Sequence, residues 1–87
     1  MQSGIATEEE IRHYYAHRRR LSEDYMAFAS EVLEVYGEQL PERDRGLYEL
    51  SVRMHRDRLA AIPRQIEEAL VRREEQEERR KEWRARQ

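Results

Sequence analysis

Apolar positions along this chain recur at alternating spacings of three and four, the period of a helix packed along one face. Ile11, Tyr14, Arg18, Leu21, Tyr25, Phe28, Val32 and Val35 keep that period, with Arg18 the one interruption. Just ahead of the row, Thr7-Glu8-Glu9-Glu10 has the form of a capping box. There the Thr hydroxyl accepts from the third helical amide, the Glu10 carboxylate reaches back, and the acids suit the positive end of the helix dipole. Gly37 is the natural stop, so the pattern predicts a first helix over residues 8–36, about 44 Å long at 1.5 Å per residue.

The segment from Gly37 to Gly46 holds two glycines and Pro41 and marks a chain reversal. Pro41 suits the first turn of a second helix, where its missing N–H costs nothing; a start nearer Asp44, capped by its carboxylate, is the alternative. Beyond it Tyr48, Val52, His55, Leu59, Ile62, Ile66 and Leu70 form one stripe, flanked by Leu47, Leu50, Met54 and Ala61. Pro63 falls inside this stripe, where it removes a backbone hydrogen bond at a cost of about 3 kcal/mol in a straight helix. Because Ala60, Ala61 and Ile62 offer no cap, the expectation is a kink near Ala60, with a break and a short third helix as the alternative.

An antiparallel hairpin turning near Leu40 places Glu8 beside Arg72, where the apolar stripe of the second helix ends. Each helix carries more than the one stripe a hairpin can bury. Met26, Ala29, Leu33 and Tyr36 form a second row in the first helix, and Leu47, Leu50 and Met54 duplicate the stripe of the second. An apolar face of that width is closed most simply by a second hairpin. The expected fold is therefore all-α: an antiparallel helical hairpin, its second helix kinked near Pro63, completing a coiled-coil-like four-helix bundle as a dimer. Residues 1–6 read as a disordered N-terminus, 7–71 as the hairpin domain and 72–87 as a charged helical extension. In that extension Glu68 to Arg72, Glu75 to Arg79, Glu77 to Lys81 and Glu82 to Arg86 are spaced as favourable i,i+4 pairs.

Composition sharpens this picture. Ala, Glu, Lys, Leu and Arg make up 48 of 87 residues, and Ile, Leu, Val and Phe only 16, so the chain is rich in helix formers and short of core. With 17 basic and 19 acidic residues the net charge is only −2, which leaves helix pairing favourable. There is no cysteine, hence neither a disulfide nor a thiolate zinc site to staple a core of this size. No apolar run is long enough to span a bilayer and no leader pattern opens the chain, which makes the cytoplasm the expected location.

Candidate chemistry is sparse. His13 and His17 are four apart, and Glu10 with His13 forms a Glu-x-x-His pair of the di-iron kind, but the second such pair is missing because Val52 stands at that offset before His55. No metal or cofactor is expected. No nucleophile-base motif or glycine-rich phosphate loop surrounds Ser22, Ser30 or Ser51, so no enzymatic activity is expected either. Arg79, Arg80, Lys81, Arg84 and Arg86 form a basic cluster with Trp83 available to stack, the pattern of a nucleic-acid contact. Against it stand a pI near 6.0 and the acidic run just upstream. Arg18, on the apolar row, either pairs with an acid across a dimer and fixes register or packs its stem and keeps its head in water. The candidate partner-binding residues are Tyr15 and Trp83, which fit the stripes least well and are of types frequent at binding hot spots, with Met26, Leu33 and Tyr36 of the second row. The sequence thus points to a small non-enzymatic protein–protein interaction module, an adaptor, assembly subunit or inhibitor, whose partner is itself or a larger protein. A nucleic-acid-associated protein using the terminal arginines is the alternative.

Overall fold

A computed structural model describes residues 4–87. It contains two helices, α1 over Glu8–Tyr36 and α2 over Glu42–Ala85, and no strand among the described residues. They fold back on each other as an antiparallel hairpin 68 Å long and 19 by 17 Å across. The reading of residues 1–6 as a loose end falls partly on residues 1–3, which lie outside the described residues. From Gly4 to Thr7 the chain is not helical.

The capping box forms as the sequence predicts. Thr7 Oγ1 accepts from the Glu10 amide at 3.0 Å, and the Thr7 amide donates to Glu10 Oε1 at 2.8 Å. At the other end Gly37 caps α1 in right-handed geometry, its N–H donating to the Leu33 carbonyl at 2.9 Å. A Cβ at Gly37 would run into that same carbonyl oxygen, so a glycine is required for close approach rather than for a left-handed turn. The chain reverses over residues 37–41, and α2 starts at Glu42 with Pro41 as its N-cap. Neither a start at Asp44 nor Pro41 inside the first turn is seen. Pro41 has no amide to satisfy, and its carbonyl accepts the first helical bond, from Arg45 at 3.0 Å.

Gly46, one turn into α2, is exposed, and a Cβ there would meet nothing within 4 Å. Gly46→Ala is therefore expected to stabilise the protein by about 0.5–1 kcal/mol through lower backbone entropy in the unfolded chain and better helix propensity. A raised urea midpoint at unchanged slope is the observation that checks it.

α2 runs as one helix through Pro63 to Ala85, so the alternative of a break and a third helix does not occur. Its charged end is helical, but the ion pairs differ from those expected. Arg64–Glu68 at 3.8 Å and Arg73–Glu77 at 3.7 Å form instead, both with the arginine first. Exposed pairs of this kind contribute little, and the weaker order contributes least.

The packing line of α2 is the predicted stripe: Tyr48, Val52, His55, Leu59, Ile66 and Leu70 are half-buried and Ile62 is only 3% exposed. On α1 the outcome is a correction. The row expected to pack is exposed except at Ile11 and Val32, and the side turned to α2 carries Tyr15, Ser22, Met26, Ala29 and Leu33 beside them. Ala29 at 0% and Ser22 at 8% exposure are the most enclosed of these. Two helices that touch only each other come closest along small side chains, because interaxial distance is set by the bulk at the contact. Tyr25 and Phe28 between Ser22 and Ala29 would hold the axes apart, so they sit beside that line, and its tyrosine, Tyr15, lies toward the open end of the hairpin.

Candidate interaction surface

The register of the hairpin is set by a few cross-helix contacts. Tyr25 stacks on His55 with centroids 4.7 Å apart, Phe28 meets Tyr48 edge-on at 6.4 Å, and Arg73 Nε donates to the Ala6 carbonyl at 3.1 Å. These agree with a reversal near Leu40, which sets His55 opposite residue 25.

That register displays an apolar row on α1. Tyr14, Leu21, Tyr25, Phe28 and Val35 are between 42% and 58% exposed. Tyr25 and Phe28 also contact each other, with centroids 6.1 Å apart. Beside the row, Tyr25 shares a shallow open hollow with Leu40, Asp44, Leu47, Tyr48 and Ser51, so the apolar surface continues from α1 across the turn onto α2. Leu47 and Met54 are themselves exposed. Isolated exposed apolar residues are ordinary on protein surfaces; a row that runs from Leu21 to Val35, about four helical turns, is characteristic of an interface.

One pairing was invisible in the sequence. Ser22 Oγ lies 3.2 Å from His55 Nδ1, although the two are 33 residues apart. A serine next to a histidine invites comparison with an activated nucleophile. Here Ser22 is buried between the helices and the imidazole is stacked by Tyr25. The pair satisfies two polar groups at the hairpin contact and fixes the pitch of one helix on the other.

The structure divides the residues chosen from sequence. Tyr15, Met26 and Leu33 are half-buried on the α2-facing side, with Tyr15 edge-on to Tyr14 at 5.0 Å. Tyr36 and Trp83 are exposed at opposite ends of the molecule, Tyr36 by the turn and Trp83 near the tip of α2. Of the basic cluster, Arg79 and Lys81 line an open surface groove with Arg73 and the carboxylates of Glu74, Glu75, Glu77, Glu78 and Glu82, so acids outnumber cations there. Arg84 and Arg86 are exposed, and Arg80 is half-buried. His13 and His17 share a surface with Glu9, Glu10 and Tyr14, but no group of three or more metal-capable side chains assembles among the described residues. Arg18 folds back on its own helix: Nη1 donates to the Tyr14 hydroxyl at 3.3 Å and the guanidinium lies 5.7 Å from the ring centre. None of the described helices is long and apolar enough to cross a membrane.

Comparison with protein-family models, with curated proteins and with solved structures finds no match to this chain.

Proposed function

We propose that the chain is a non-enzymatic protein–protein interaction module, an adaptor, assembly subunit or inhibitor, whose half-built core is completed by helices of a protein partner in a four-helix arrangement. The observation that carries this reading is the exposed row Tyr14, Leu21, Tyr25, Phe28 and Val35, which continues into the hollow by Leu47 and Tyr48. Burying such side chains contributes roughly 25 cal/mol per Å² of apolar surface removed from water, and the aromatic members are of the type that anchors interfaces. Interleaving of carboxylates with the terminal cations weighs against nucleic acid as the partner, since a phosphate backbone requires an uninterrupted positive surface. In this reading Pro63 sets a kink near Ala60, because the Leu59 carbonyl loses the amide it would otherwise accept from. The bend curves α2 around whatever covers the row.

A benzophenone amino acid placed at Phe28 and irradiated in the native cell is expected to give a discrete protein adduct that survives nuclease treatment. The same group at Arg53, an exposed charged position of α2, is expected to give none. Absence of an adduct at Phe28, or one destroyed by nuclease, overturns the reading.

A further inference from the structure

The interaction-module reading leaves the occupant of the row open; resting on it, we propose that the occupant is a second copy of this chain, whose α1 lies antiparallel across the row about a twofold axis beside Asp24 and Tyr25.

A twofold interface requires a patch that is complementary to itself when reversed. The row on α1 has this property. Turned end for end about Asp24 and Tyr25, Tyr14 falls opposite Val35 and Leu21 opposite Phe28, with Tyr25 at the centre. Large meets small or medium at each step, and the same pairs repeat on the other side of the axis.

Charge points to the same partner in the same direction. From Ile11 to Arg20, α1 carries Arg12, Arg18, Arg19 and Arg20 with two histidines and no acid. From Leu21 to Pro41 the chain carries Glu23, Asp24, Glu31, Glu34 and Glu38 and no base. Reversal sets residues 11–20 of each copy against residues 29–38 of the other, which carry Glu31, Glu34 and Glu38, and Arg18, the residue that interrupts the apolar row, falls opposite Glu31. The isolated hairpin does not account for this segregation. Acids crowd the negative end of the α1 dipole, and the last turn holds no basic residue. All three ion pairs among the described residues are intrahelical, and none involves residues 18–38. Arg19 and Glu23, or Arg20 and Asp24, have i,i+4 spacing but form no pair. A pattern unfavourable within one helix and complementary to its own reverse fits antiparallel self-association, where like charges would oppose the parallel arrangement.

Light scattering on the full chain at tens of micromolar is expected to give about twice the 10.7 kDa chain mass. Leu21→Glu is expected to give a monomer whose helical circular dichroism is retained, because Leu21 is exposed in the hairpin and lies outside the cross-helix contacts that set its register. Arg18→Glu counts twice by symmetry and is expected to raise the dissociation constant by about tenfold or more; adding Glu31→Arg is expected to recover most of that loss. As the described chain has no cysteine, introduced ones report orientation directly. Tyr25→Cys is expected to form disulfide-linked dimers by itself, and Tyr14→Cys only when mixed with Val35→Cys. A single-chain mass overturns the proposal, and a dimer in which Tyr14→Cys links to itself overturns its antiparallel register. If the mass is that of one chain while Phe28 still crosslinks to a different protein, self-association alone is wrong; if Phe28 gives no adduct either, the interaction reading fails with it.

Discussion

Ile62→Ala is expected to leave most of the protein unfolded at room temperature when dilute. Ile62 is the most enclosed large side chain of the described residues, and truncating such a residue costs about 2–5 kcal/mol in lost burial and residual cavity. A helical chain of this size, with no staple, has only about 3–5 kcal/mol to lose. The expectation is a thermal melt displaced below the working range and regained in part at high protein concentration, since association stabilises the folded form by mass action. A melt shifted by only a few degrees would show that the hairpin's stability lies elsewhere than at this contact.

The neighbouring residue gives the second large effect, with opposite sign. Pro63→Ala is expected to stabilise the protein by about 2 kcal/mol. Pro63 is exposed inside a helix that continues for many residues on both sides, so its ring contributes little packing while the Leu59 carbonyl goes without its helical donor. Proline in a helix interior is disfavoured relative to alanine by about 3 kcal/mol; the extra freedom alanine gives the unfolded chain returns about 0.4–1 kcal/mol of that. For a domain of this size the gain corresponds to a rise of about 10 °C in Tm. An unchanged Tm would mean that the helix already relaxes around the proline at no cost. Stabilisation with weakened partner binding is the informative combination, because it would show that the proline itself serves the interface.

The parts of the fold that were legible in the sequence are those fixed by local chemistry. Thr7 and Glu10 announce the start of α1 through groups three residues apart, and Gly37 marks its end. The α2 stripe from Tyr48 to Leu70 outruns the short flanking row of Leu47, Leu50 and Met54, so periodicity alone identifies it. α1 was harder because it has two adjacent apolar rows, and ranking by bulk selects the one with Tyr, Leu and Phe. The contact line follows small side chains instead, Ser22 and Ala29, which score poorly as core by composition yet permit the closest approach of two helices. Ser22 with His55 was illegible for a related reason. A hydrogen bond across 33 residues depends on the azimuth of both helices, and that azimuth followed from the row that was misjudged. At the candidate surface, aromatic content drew attention to α1, but the exposed positions Tyr14, Tyr25 and Val35 lie one or two residues from Tyr15, Met26 and Leu33, the step between two faces of one helix.

Because α1 begins only at Glu8 while α2 continues past Arg73 to Ala85, the last dozen or so residues of α2 extend beyond the start of α1. At about 1.5 Å per residue this is a strut of roughly 18 Å, charged on every side and carrying Trp83 near its tip. A helical spacer of this composition is semi-rigid. Its mechanical consequence is a fixed offset: anything that grips Trp83 is held at a set distance and bearing from the hairpin, so that the two ends of the molecule can be engaged at once without competing for the same surface.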